Sequence, residues 1–127
     1  IPPIRRMLDM GIKVGLGSDI AGGYSMCLFR AMSEAAYLSK LNWLATDKKE
    51  SFLTVPETFY LGTKGGGQFF GKVGSFEAGY EFDALVIDDA NLSTPADKLT
   101  LEERIERVIH LADDRNIVAR FVAGAKA

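Results

Sequence analysis

A carboxylate at the end of a short apolar run is the feature of this chain best suited to chemistry. Residues Ile12-Lys13-Val14-Gly15-Leu16-Gly17-Ser18 lead to Asp19, and Ile20-Ala21-Gly22-Gly23-Tyr24-Ser25 follow. A carboxylate at a strand tip can ligate a metal, take a proton from an activated water, or both. The same acid can serve only as a cap or an Asx turn after a strand. The flanking glycines let backbone come close to a ligand and leave room beside the carboxylate. Gly22 and Gly23 can offer N–H groups to a substrate, and Ser25 a hydroxyl. The plainer reading of this stretch is a linker with Ser25 capping the next helix. Ser25 does not read as a nucleophile, because no Gly-x-Ser-x-Gly frame surrounds it.

Other candidates carry less. His110 is the single histidine, set between Ile109 and Leu111 on an amphipathic stretch. His110 and Cys27 together supply too few nitrogen and sulfur ligands for a metal site within these residues. A half-exposed histidine near a helix C-terminus, favoured by the helix dipole, is the better reading of His110. Gly66-Gly67-Gln68-Phe69-Phe70-Gly71-Lys72 has the spacing of a phosphate loop. Val73 stands where Ser or Thr should reach magnesium, and a helix rather than a strand precedes the glycines, so nucleotide binding is not expected there. Cys27 lies among Met26, Leu28 and Phe29 and reads as a packed thiol. Asp113-Asp114-Arg115 reads as a solvated turn.

The elements that would position these residues follow from periodicity. Residues 2–10 read as the end of a helix, stopped by Gly11 in a left-handed conformation. Residues 12–17 read as a buried strand, and Gly15 and Gly17 suggest close packing against neighbouring backbone. Residues 26–45 read as a helix with two apolar lines, hence buried on more than one side. Thr54 and Glu57 have capping-box spacing for a helix over 54–61, with Pro56 in its first turn. Residues 62–67 are expected to loosen the chain, and 68–71 to make one last turn. Residues 82–88 read as a strand and 91–98 as a loop. Thr100 and Glu103 form a second capping box before a helix with Leu101, Ile105, Val108, Ile109 and Ala112 on one face. A turn at 113–116 leads to a strand over 117–123.

Composition sets the outer limits. The chain has 127 residues, 47% of them hydrophobic and 25% charged, so a folded domain is expected rather than a disordered or fibrous one. A net charge of −2 with no basic stripe argues against nucleic acid as a partner. No apolar run approaches the roughly 20 residues of a membrane helix. No stretch reads as a secretory signal, and the lone Cys27 fits a reducing cytoplasm. The chain opens Ile1-Pro2-Pro3 without Met and closes Gly124-Ala125-Lys126-Ala127 straight after an apolar run, where a hairpin would be turning. Both ends read as cut, and the chain is expected to be part of a longer protein.

The order helix, strand, helix, helix, then strand, helix, strand fits an α/β fold in two parts. A strand that delivers one Asp at its tip is how parallel barrels place groups at the mouth of an active site. Gly17-Ser18-Asp19-Ile20-Ala21-Gly22-Gly23-Tyr24-Ser25 resembles the amidohydrolase superfamily, and within it the guanine deaminase family. The resemblance continues through Leu61-Gly62-Thr63-Lys64-Gly65-Gly66 and through Gly74-Ser75-Phe76-Glu77-Ala78-Gly79-Tyr80-Glu81-Phe82-Asp83-Ala84-Leu85-Val86. It runs on through Leu111-Ala112-Asp113-Asp114-Arg115-Asn116-Ile117 to Val122-Ala123-Gly124. A Ser-Asp strand end and the Gly-x-Phe-Glu-x-Gly stretch are widespread among amidohydrolases. The Asp19–Ser25 loop and the Asp113–Ile117 turn are narrower marks.

That resemblance implies the C-terminal part of a metal-dependent (β/α)8 TIM barrel, over residues 1–70. It also implies part of a small β-sandwich domain with one helix, over residues 71–127. It implies a zinc-dependent deaminase that converts guanine and water to xanthine and ammonia, commonly as a homodimer. Asp19 would be the zinc ligand and proton carrier, while Gly22, Gly23 and Ser25 would shape the purine pocket. The family's histidine ligands have no counterpart here and would lie upstream of Ile1, so the isolated chain is expected to be inactive and a poor autonomous folder. Two alternatives stay open: another amidohydrolase deaminase or cyclic-amide hydrolase, and a non-catalytic interaction domain in which Asp19 only caps.

Overall fold

The computed structural model describes residues 1–94 and 98–127; the loop expected over 91–98 falls partly outside them. Helix α1, Ile4–Asp9, ends where Gly11 takes a φ of +74°. The Gly11 N–H bonds to Leu8 O and the Ile12 N–H to Met7 O, both at 2.9 Å. This is the double closure of a helix end that a left-handed glycine permits.

Helix α2, Leu28–Ala45, is the centre of the packing, meeting α3 (Val55–Gly62) and α5 (Leu101–Leu111) on different sides. It is thus buried on more than one side, as expected. Toward α5, Phe29 and Met32 bury with Ile109 and Ala112. Toward α3, Ala35 buries with Leu53 and Leu61, and Ile4, Leu8 and Val14 pack against them. Both expected capping boxes form. Thr54 Oγ1 accepts from the Glu57 N–H, and Glu57 returns a carboxylate oxygen to the Thr54 N–H; Thr100 and Glu103 repeat the exchange.

Residues 12–17 do not form a regular strand. A strand exists only where a neighbouring backbone completes its ladder. Among the described residues this segment makes one such long-range bond, from the Leu16 N–H to Leu61 O at 3.0 Å. Burial still alternates, with Val14 and Leu16 half-buried between exposed glycines. Leu16 packs against both core clusters, which anchors the segment three residues before Asp19.

The stretch expected to loosen at 62–67 contains a short helix instead, α4, Lys64–Gly67. Its glycines serve close approach rather than flexibility. A Cβ on Gly15 would stand 2.8 Å from Gly66 Cα, and one on Gly67 would collide with Val73 O. Gly17, by contrast, has nothing within 4 Å of its would-be Cβ, so only Gly15 fulfils the close-packing expectation.

Among the described residues the second half holds a three-stranded antiparallel sheet in the order β1-β2-β3: Ala84–Ile87, Ile117–Val122 and Ala125–Lys126. Ala84 pairs with Phe121, and the register shifts between Val86 and Ile87. Along β2 the residues alternate between half-buried (Ile117, Ala119, Phe121) and exposed, as a one-sided sheet requires. Ala123 and Gly124 turn the β2–β3 hairpin with φ of +48° and +82°, the signs a two-residue type I′ turn demands. A 3-10 turn, Asp114–Asn116, links α5 to β2. The described residues thus form an α/β unit of helices and a small antiparallel sheet.

Candidate active site

Asp19 stands at the head of a tight turn. Its φ is +48° and that of Ala21 is +76°, a backbone region that side chains with a Cβ adopt reluctantly. Local bonds hold it there. The Asp19 carbonyl accepts the Gly22 N–H at 2.9 Å and the Gly23 N–H as well, and Ile20 bridges to Gly23. The side chain folds back over the same turn: a Cβ on Gly22 would lie 2.6 Å from Asp19 Oδ2. A Cβ on Gly23 would strike Ser18 O. Gly23 therefore needs glycine for space against backbone, whereas a side chain at Gly22 would displace the Asp19 carboxylate. Asp19, Gly22 and Gly23 form one compact, exposed unit with a free carboxylate edge.

Ser25 lies on the exit of the turn, half-buried. It does not cap the helix by the expected geometry. Cys27 is the residue at the N-cap and offers no side-chain cap bond, while Ser25 Oγ accepts the Cys27 N–H at 3.1 Å. The Ser25 hydroxyl is thus occupied in fastening the turn to α2. Cys27 packs on the Phe29–Ile109 cluster, as an inert thiol should.

Arg30 and Glu34 carry no signal of a role in the sequence. The exposed Tyr24 phenol interacts with the Glu34 carboxylate, which holds it above its ordinary pKa. Cys27, Arg30, Glu34 and Tyr37 recur at steps of three and four, so they share one face of α2. The half-buried Arg30 guanidinium donates to His110 O at 3.2 Å, and the Tyr37 ring meets His110 edge-on, 5.9 Å between centroids. That Arg30 and Tyr37 face α5 cannot be read from their spacing on α2 alone.

His110 sits in the last turn of α5, as expected. Asp113 and Arg115 do more than face solvent. Arg115 donates to the Asp113 carboxylate at 2.5 Å, and that bond pushes the Asp113 carboxyl down to about 2. Gly66 and Gly67 belong to a helix, which removes the phosphate-loop geometry. Among the described residues no group of three or more His, Cys, Asp or Glu could hold a metal ion. Asp19 can offer one anionic oxygen, and a complete site needs ligands from elsewhere. Among the described residues no helix is long and apolar enough to cross a membrane.

An exposed carboxylate on a glycine-framed turn, anchored by Leu16 behind it and α2 ahead of it, suits a hydrolase site assembled from several segments. The chain belongs to the amidohydrolase family, whose sequence model matches residues 1–126. Its relatives within that family include guanine deaminases. The human guanine deaminase is 36% identical over 131 aligned residues, covering 95% of this chain and 29% of that protein. The Escherichia coli guanine deaminase is 30% identical over 130 residues, covering 95% of this chain and 28% of that protein. Among solved structures, the guanine deaminase from C. acetobutylicum with guanine bound in its active site superposes with a TM-score of 0.91. It is 52% identical, over 98% of this chain and 29% of that one. The chain therefore spans less than a third of the length of these relatives.

Proposed function

We propose that these 127 residues are the C-terminal portion of a zinc-dependent guanine deaminase, which hydrolyses guanine to xanthine and ammonia. The observation that carries the reading is the Asp19 turn, with its carboxylate lying over Gly22, in a chain that superposes on a guanine-bound relative. On this reading residues 1–70 supply the last strand and flanking helices of a (β/α)8 barrel. Residues 71–127 belong to a small β-sandwich domain. The protein works in the cytoplasm as a homodimer, with guanine and water as its substrates.

Zinc, when bound, supplies Lewis-acid activation of water. Asp19 would be a ligand to it, and the remaining ligands would come from chain outside these residues. Asp19 would also serve as the proton carrier, taking a proton from water and returning it to the departing amine. Gly22 and Gly23 would shape the purine side of the pocket, since their missing side chains make room for the Asp19 carboxylate and the Ser18 carbonyl that frame it. Ser25 fixes the far side of the turn through the Cys27 N–H.

The test uses the full-length protein. With zinc it should release ammonia from guanine, and prolonged chelation should abolish the release until zinc is restored. No turnover of guanine, or turnover indifferent to chelation, overturns the proposal. Turnover of a different amine or cyclic amide in its place selects the broader amidohydrolase alternative.

A further inference from the structure

The Asp19 turn ends where α2 begins, and α2 is pinned to α5 within its first turn. Arg30 is the third residue of the helix, half-buried, and its guanidinium donates to His110 O at the C-terminal end of α5. The carbonyl it meets belongs to the last turn of that helix, where backbone acceptors lack helical partners and a cation is favoured. The Arg30 N–H in turn bonds to Cys27 O at 3.0 Å, and the Cys27 N–H bonds to Ser25 Oγ. A continuous set of bonds therefore runs from α5 through Arg30 and Cys27 to Ser25, two residues from Gly23. The left-handed backbone at Asp19 and Ala21 persists only where surrounding structure enforces it.

We propose that Arg30 is a positioning residue: by clamping the first turn of α2 to the end of α5, it fixes the Asp19–Ser25 turn in its working geometry. The inference rests on the deaminase reading only for its kinetic arm.

The experiment compares Arg30→Ala, Arg30→Lys and Tyr37→Ala in the full-length protein. Arg30→Ala should lower kcat for guanine about tenfold while KM changes far less, the size expected when one charge-assisted bond no longer holds a reacting group in place. Hydrogen exchange at the Gly22, Gly23 and Cys27 amides should quicken in step. Arg30→Lys, which can still donate to the carbonyl, should restore part of both. Tyr37→Ala loosens the same α2–α5 contact two turns further on, and should lower the melting temperature without quickening exchange at Gly22 and Gly23. Unchanged exchange in Arg30→Ala, or the same exchange pattern in Tyr37→Ala, overturns the inference. If the wild type fails to turn over guanine, the deaminase reading falls and the exchange comparison alone decides the role of Arg30.

Discussion

Asp19 Oδ2 occupies the space that a Gly22 side chain would need: a Cβ there would come within 2.6 Å of it. The carboxylate and the glycine are therefore one device, since the acid can fold over the turn only because the turn has no side chain beneath it. Gly23 is constrained differently, by backbone, because its Cβ would meet Ser18 O.

The two glycines should thus fail in different ways when replaced in the full-length protein. Gly22→Ala pushes aside the end of a side chain, so stability should hold while turnover falls by up to about 100-fold, the scale of a catalytic group displaced by an ångström. Gly23→Ala pushes against backbone and should lower both turnover and melting temperature. Paired kinetic and thermal measurements separate the two. Equal effects on stability would mean that the turn is looser than its contacts indicate.

A second expectation concerns acid. Arg5 Nη2 donates to both carboxylate oxygens of Glu57 at 2.7 Å, and it also reaches Phe52 O. Partial burial disfavours the Glu57 charge, but the bonds from Arg5 and Thr54 outweigh it and hold the carboxyl below its ordinary value. A depressed folded-state pKa gives stabilisation that is complete above the unfolded value of about 4.3 and is lost as pH falls through the folded value. Glu57→Gln should therefore melt lower than wild type at neutral pH, and the gap should close in the acid range. A gap that persists unchanged at low pH contradicts the pairing.

Core and cap substitutions should rank in a fixed order. Leu61 is fully buried, packs with Ala35 and Leu53, and its carbonyl receives the Leu16 N–H. Leu61→Ala should cost about 2–5 kcal/mol by leaving a cavity. Thr100→Ala, which removes one half of a capping box, should cost about 1 kcal/mol. Denaturant midpoints of the full-length variants check the order, and a costlier Thr100→Ala would reverse it.

What the sequence made legible was whatever depends on near neighbours. Thr54 with Glu57 and Thr100 with Glu103 announce their helices because a capping box closes within four residues. Gly11 announces a helix end for the same reason. The segment 12–17 misleads because a short apolar run reports burial, and a strand further needs a paired ladder. Residues 64–67 mislead because glycine is read as freedom, whereas here the missing side chains let Gly15 and Val73 approach α4. At the candidate site, Asp19, Gly22 and Gly23 were visible as a carboxylate between glycines. Ser25 was visible as a hydroxyl before a helix, though its bond goes to the Cys27 N–H two residues on. Arg30 was not visible, because its partner lies 80 residues away in α5.

The deciding measurement is guanine turnover by the full-length protein carrying Asp19→Asn, with zinc content assayed on the same sample. Asparagine keeps the shape of the side chain but removes the anionic oxygen and the base. Loss of turnover by about 100-fold or more is expected, the scale of removing a general base, together with weakened zinc retention. Undiminished turnover would leave Asp19 a turn-forming residue and contradict the deaminase reading of this site.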